Sequence, residues 1–174
     1  NINKLAIQSE DTVPAMFLPV AIIKEKTLYL DSYYSMLISK FPHPDDKNQI
    51  RGLTPFYLKK IDGHYASAFT LISGLLAVPV YFLSLKFGIT INWENLILLS
   101  KISSALITSL SGGFFYLLLK KQFSLDEKKA SVLTYVFLFA TVNFAMLSQS
   151  LWQHGTLQLF SVLGLYFVLD YLKS

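Results

Sequence analysis

The sequence contains no cysteine, and only 15% of its 174 residues are charged. The absence of cysteine excludes a disulfide framework, a zinc–thiolate site and a thiol redox pair. Soluble domains usually carry about 25% charged residues. The low charge therefore excludes a disordered chain, a nucleic-acid-binding tail and most ordinary soluble enzymes. Walker, Rossmann-glycine, Ser-His-Asp and HExxH patterns are also absent, so ATP-driven transport and metalloprotease chemistry have no support in the sequence.

Apolar residues dominate instead, at 53% of the chain, and the mean hydropathy is +0.46. This composition predicts a polytopic membrane protein. The net charge of +4 does not indicate a nucleic-acid partner. More than half of the charges lie in the first 62 residues with both signs mixed, and most of the others end apolar runs. The chain starts at Asn1 and stops just after an apolar run, so we expect it to be a fragment of a longer protein.

Apolar runs divide the chain. Residues 1–63 form a polar segment with amphipathic pieces, broken by five prolines. Ser124 with Glu127 fits a capping box, which predicts that a helix begins there. The uncharged stretch from Ala130 to Leu169 is too long for one span, and its polarity rises over 148–155. The predicted apolar segments are 66–85, which contains Pro79, and helices near 96–119, 131–148 and 156–172.

The lysine-rich loop over 120–129 is the strongest orientation signal. The positive-inside rule places this loop in the cytoplasm, so 148–155 lies outside and Lys173 inside. Two arrangements remain open for 66–85. If this segment crosses the membrane, residues 1–63 are cytoplasmic. If it is a juxtamembrane or re-entrant helix broken at Pro79, residues 1–63 are outside.

Three stretches resemble a known family. They are SEDTVPAMFLP at 9–19 with LYLD at 28–31, GHYAS at 63–67 with LLAVPVY at 75–81, and SQSLWQHG at 148–155. In order and spacing they resemble bacterial membrane glycosyltransferases of the GT-C superfamily, which includes the protein mannosyltransferases and the aminoarabinose transferases of lipid A. The resemblance implies an all-α, polytopic transmembrane bundle. Residues 1–95 would form the first extracytoplasmic loop, with amphipathic juxtamembrane helices, and residues 96–174 the transmembrane helices.

The resemblance also implies an activity. Such enzymes move a sugar, with inversion, from a polyprenyl-phosphate donor to a lipid, glycan or protein acceptor on the outer side of the bacterial plasma membrane. An acidic residue leads their first outer loop, and Asp11 matches that position with Glu10 beside it. A carboxylate there suits general-base catalysis. The next outer loop, where the family often has an acidic residue, offers Gln153 and His154.

The leaving phosphate requires compensating groups. The candidates for this role are Lys59, Lys60, Arg51 and His154. The motif at 63–67 places His64 and Tyr65 where the loop re-enters the membrane. Many relatives have a basic residue shortly after this motif, but this sequence has none there. The expected partners are membrane lipids and the lipid-linked donor. No cofactor and no protein-bound metal site is predicted.

Structural interpretations compete with these roles. Asp11 suits the positive end of the following helix, and His154 suits a membrane interface beside Trp152. Asp31 is typical of a cap or turn, and the histidine and acids at 43–46 are typical of a solvated loop. Gly112 and Gly113 indicate close helix approach. For the whole chain, the alternatives to a transferase are a transporter or flippase and a non-enzymatic membrane assembly subunit.

Overall fold

The computed structural model describes residues 9–173, which are mostly helical, as predicted. Short 3-10 turns cover Glu10–Thr12, Asp31–Tyr33 and Pro44–Asp46, and π-helical turns cover Leu118–Gln122 and Asn143–Leu147. The chain divides into two compact units, the first ending at Ser100 and the second beginning at Lys101. The regular elements are α1 (Val13–Glu25), α2 (Tyr34–Lys40), β1 (Leu58–Ile61), β2 (His64–Ser67), α3 (Ile72–Lys86), α4 (Trp93–Leu117), α5 (Glu127–Phe139) and α6 (Gln153–Lys173).

Helix α1 is buried on every side over most of its length, rather than amphipathic. All residues from Val13 to Ala21 are buried. Pro14 suits the first turn, where its missing N–H has no intrahelical partner to lose. The helix ends at Lys26, whose φ of 56° is left-handed and stops the helical hydrogen-bond ladder. An apolar helix buried in this way is the core of the first unit.

Helix α3 begins later than the predicted segment 66–85 and is not broken. Residues up to Ser67 belong to β2, and Pro79 lies inside one continuous helix, so the predicted break there is wrong. Fifteen residues span about 22 Å, which is short of a hydrocarbon core of about 30 Å. The helix packs closely on α1 at Gly74. An added Cβ at Gly74 would lie 2.8 Å from Leu18 Cδ2, so only glycine fits there without a shift.

Strands β1 and β2 form an antiparallel hairpin that the sequence analysis did not predict. Its two-residue turn is Asp62-Gly63, and both residues have positive φ (51° and 88°). This is the geometry of a type I′ turn, which Asp-Gly favours. The hairpin brings Lys60 directly opposite Tyr65.

Two helices of the described chain are long and apolar enough to cross a membrane. One is Trp93–Gln122, which joins α4 to its π-helical end, and the other is α6. Their 30 and 21 residues correspond to about 45 and 31 Å. The predicted span 131–148 is not a single helix, because α5 ends at Phe139 and a π-helical turn follows at Asn143–Leu147. Asp126, and not Ser124, caps α5, since its carboxylate accepts from the N–H of Lys129.

Helices α4, α5 and α6 pack together in the second unit. Gly112 of α4 faces Leu138 of α5, and the Phe115 ring stacks on Phe137 at a centroid distance of 4.4 Å. Gly112 precedes Phe115 in α4, whereas its partner Leu138 follows Phe137 in α5, so α4 and α5 are antiparallel. The π-helical turn after α4 meets the C-terminal end of α6, since Gln122 Nε2 donates to Asp170 Oδ1 at 3.0 Å. The Phe114 ring of α4 contacts Tyr166 of α6 at 6.5 Å, earlier in both helices, so α4 and α6 run in the same direction.

Candidate functional site

Asp11 lies in the 3-10 turn that leads directly into α1. Its Oδ1 atom is buried and has no hydrogen-bond partner among the described residues. The side chain does not cap the helix, because the N-cap position belongs to Thr12. Buried polar atoms in native proteins are normally paired. This oxygen is therefore a buried hydrogen-bond acceptor that is unpaired within the described residues, beside the start of a buried helix.

Tyr57, just before β1, is fully buried. Burial raises the pKa of the Tyr57 hydroxyl, and the negative charge of Glu10 and the Tyr34 hydroxyl raise this pKa further. Tyr57 is thus a neutral phenol, and it donates a 2.6 Å hydrogen bond to the carbonyl of Phe41.

The first turn of α4 is surrounded by elements of the first unit. The Trp93 ring contacts Phe17 of α1 and Phe41 just after α2, at centroid distances of 5.2 and 5.6 Å. In the middle of α3, the Tyr81 hydroxyl donates to the carbonyl of Leu96 at 3.2 Å. The N-terminal end of α4 is therefore contacted by α1, by α3 and by the residue that follows α2.

Asp31 joins the segment after α1 to the hairpin. Its Oδ2 accepts from His64 Nδ1 and its Oδ1 from the N–H of Tyr65, both at 2.8 Å. The His64 ring also stacks on Tyr29 at 4.6 Å. Burial opposes ionisation of Asp31, but the Tyr65 N–H and the His64 ring outweigh it and lower the pKa of Asp31. Asp31 thus has a structural role, and the Nδ1 of His64 is already engaged.

Tyr65 is the centre of a small aromatic and cationic group. Its ring stacks on Tyr34 at 3.8 Å with an interplanar angle of 10°, and Lys60 Nζ lies 5.7 Å from its centroid. Lys59 pairs with Ala66, one register position away. Because side chains alternate along a strand, Lys59 lies on the opposite face of the hairpin from Lys60. Of the two predicted lysines, only Lys60 shares a face with Tyr65.

Asp46 organises the loop between α2 and β1. It is only 6% exposed, and its two oxygens accept from the N–H groups of Arg51 and Leu53, each at 3.0 Å. These two N–H groups lower the pKa of Asp46. A cavity of about 210 Å³ lies between this loop, α2 and Tyr65. Among the residues that the structure describes, no three histidine or acidic side chains are arranged to hold a metal ion.

Gln153 and His154 belong to the second unit, as the first residues of α6. Both are exposed, and the His154 ring stacks on Trp152 at 6.1 Å. The structure thus places two of the predicted site residues, Lys60 and Tyr65, together on one face of the hairpin, and His64 with Lys59 on the other face. Glu10 and Asp11 lie together in the turn before α1.

Comparison of the chain with protein-family models, curated proteins and solved structures gives no match. The chemistry of the site therefore has to be argued from the residues themselves.

The sequence analysis did not single out the part played by Tyr34 or Asp46. The sequence predicts that Asp45 and Asp46 are solvated. In the structure Asp46 is buried, and its carboxylate accepts from the N–H groups of Arg51 and Leu53. The Asp62-Gly63 dipeptide is the signal that would have found the hairpin, and with it the pairing of Lys60 with Tyr65. No local pattern marks Tyr34, because its stacking partner lies across the fold.

Proposed function

We propose that this chain is part of a multi-pass membrane glycosyltransferase that moves a sugar from a polyprenyl-phosphate donor to an acceptor hydroxyl outside a bacterial plasma membrane. The observation that carries the proposal is the buried, unpartnered Oδ1 of Asp11 at the start of α1. The resemblance of the motifs at 9–19, 63–67 and 148–155 to GT-C enzymes supports it, since an acidic residue leads the first outer loop in that family.

Asp11 is the general base in this proposal. The acceptor hydroxyl donates a hydrogen bond to Oδ1, and Asp11 takes its proton as the acceptor oxygen forms a bond to the anomeric carbon. The bond between the anomeric carbon and the phosphate oxygen breaks at the same time, with inversion. Polyprenyl phosphate leaves with that electron pair.

The charge that develops on the leaving phosphate requires a cation or a donor. Lys60 is the better placed of the two hairpin lysines, because it shares a face with Tyr65. Lys59 lies on the other face, so the two lysines would not contact the same phosphate. In the second outer loop, His154 and Gln153 are exposed and supply hydrogen-bond groups.

Membrane topology supports an outer location for both Asp11 and His154. Helix α3 is too short to span alone, and Trp93 and Leu96 hold the first unit at the N-terminal end of α4. If α4 crosses inwards, the lysine-rich loop is cytoplasmic, as the positive-inside rule requires. The C-terminal end of α6 meets this loop, since Lys173 Nζ donates to the carbonyl of Gln122 at 2.6 Å. Residues 148–155 then return to the side of Asp11.

A transporter or flippase is the second candidate, and one observation favours it. The helical path after α5 is interrupted, and Asn143 lies there in a π-helical turn at 1% exposure. Its Nδ2 bonds the carbonyl of Phe137, but its Oδ1 is buried with no partner among the described residues. Interrupted helices and polar groups within the membrane are typical of transport pathways.

The Asp11→Asn variant separates these candidates. In membranes containing the complete protein, we expect release of polyprenyl phosphate from polyprenyl-phosphate glucose, mannose or aminoarabinose to fall by about 10²-fold or more, because the base is lost while the shape is kept. Asp62→Asn is the matched control, since Asp62 is exposed in the hairpin turn and Asn suits its positive φ.

Equal release by Asp11→Asn and the unsubstituted protein, at equal expression, would contradict the transferase. A transporter predicts that outcome together with loss of lipid export in Asn143→Ala. An assembly subunit predicts that neither substitution changes activity.

A further inference from the structure

The cavity beside Tyr65 is lined by residues typical of a site for a small organic ligand. Its volume is about 210 Å³, and it is bounded by aromatic and aliphatic residues, by polar residues and by one carboxylate, Asp46. Sites for small organic molecules typically combine an apolar lining with a few fixed polar groups. The residues that matter here are Tyr34, Tyr65, Ile38, His43, Gln49 and Leu53.

The wall offers one defined donor and one defined acceptor. His43 Nδ1 accepts from the N–H of Asp45 at 3.1 Å, so a neutral His43 ring carries its proton on Nε2. Gln49 Nε2 donates to the carbonyl of Ile38 at 3.1 Å, which leaves Oε1 as an acceptor. Neither Nε2 of His43 nor Oε1 of Gln49 has a hydrogen-bond partner within the described part of the chain.

The charge of the wall argues against an anionic ligand. Among the described residues, no lysine or arginine lines the cavity, and the one carboxylate there, Asp46, accepts from the N–H groups of Arg51 and Leu53. Burial raises the pKa of the Tyr34 hydroxyl to about 12, with smaller contributions from Tyr65 and Asp46, so this group stays a neutral phenol at physiological pH. A neutral, hydroxyl-rich ligand with an apolar face fits such a wall, as a pyranose ring has C–H groups that pack on aromatic rings and hydroxyls that both donate and accept.

We propose that this cavity binds a neutral sugar ring of the acceptor. Phe41, which precedes the cavity residues Pro42 and His43, contacts Trp93, and Trp93 also contacts Phe17 of α1, the helix that follows the turn carrying the Asp11 carboxylate. An acceptor sugar seated here would leave another part of the acceptor to reach that carboxylate. The assignment to an acceptor rests on the proposed function, whereas the binding of a neutral sugar is measured independently of it.

The test is saturation-transfer-difference NMR on the complete protein in nanodiscs, with methyl glycosides of glucose, mannose and galactose as probes. We expect ring-proton signals from at least one probe. His43→Ala and Gln49→Ala should each reduce the signal at least threefold, because each removes one polar contact from the wall. Asn48→Ala is the matched control, since Asn48 is exposed in the same loop and does not line the cavity.

The outcomes separate this inference from the proposed function. Sugar signals that Gln49→Ala and His43→Ala leave unchanged, or no signal from any probe, would overturn the sugar site whatever the activity of Asp11→Asn. Retention of the signal in Asp11→Asn with loss of polyprenyl phosphate release supports both. Retention of the signal with unchanged release supports a sugar site and contradicts its assignment to an acceptor.

Discussion

The aspartates of this chain divide by what their carboxylates contact. Asp31, Asp46 and Asp126 each accept at least one backbone N–H bond, and each joins two segments or caps a helix. These hydrogen bonds stabilise the ionised form of each of the three carboxylates. Asp11 differs because its Oδ1 is buried without a donor among the described residues. The proposed function gives this unpaired oxygen the acceptor hydroxyl as its partner.

Asp31→Asn tests the structural role of the Asp31–His64 pair. The pKa of Asp31 is lowered in the folded state, so its stabilisation is present above its unfolded pKa near 3.8 and is lost as the pH falls through the lower folded value. An exposed ion pair contributes at most about 1 kcal/mol. We expect the Tm of Asp31→Asn to lie about 2–4 °C below that of the unsubstituted protein at pH 7. This difference should shrink as the pH falls below 3.8 and through the lower folded pKa of Asp31. A difference in Tm that is constant over this range would contradict the role.

At the scale of elements, the accuracy of prediction depended on whether the signal was local. Helices α4 and α6 were predicted because long apolar runs with charges at their ends are sufficient to specify them. The interruption after α5 was not predicted, because no proline or charge marks it; in the structure the buried Asn143 donates to the carbonyl of Phe137 across it. The Gly112-Gly113 pair was predicted to allow close helix approach. The structure confirms this for Gly112, whereas Gly113 has no neighbour within 4 Å of an added Cβ.

Gly112→Ala and Gly113→Ala form a matched pair in one helix. A Cβ at Gly112 would lie 2.7–2.9 Å from three side-chain atoms of Leu138, so the Leu138 side chain has to move and Gly112→Ala should be about 1 kcal/mol less favourable than Gly113→Ala. Gly113→Ala should be neutral or stabilise by up to about 1 kcal/mol through helix propensity. Thermal unfolding in detergent measures both changes, and Leu138→Ala should rescue Gly112→Ala. Equal effects of the two alanines would show that the helices are not in close contact at Gly112.

For the whole molecule, composition and apolar runs predicted a mostly helical chain with long apolar helices, and the structure confirms both. The lysine-rich loop predicts one orientation for these helices, and motif order predicts Asp11 and His154 as site residues; both stay predictions. The Tyr34–Tyr65 stack joins distant segments, which no local sequence pattern reveals. The proposed function requires the loops that carry Asp11 and His154 to lie on the same side of the membrane.

Cysteine accessibility tests that condition directly, because this chain contains no cysteine and each substitution adds one. We would place single cysteines at Ser9, Gln153 and Ser124 of the complete protein and label intact cells with a membrane-impermeant thiol reagent. The first two positions should label and Ser124, in the lysine-rich loop, should label only after permeabilisation, because the proposed topology has α4 and the segment after it each cross the bilayer once. If Ser9 and Ser124 label alike, residues 66–85 cross the membrane after all. Asp11 and His154 would then lie on opposite sides, and a shared active site would be impossible.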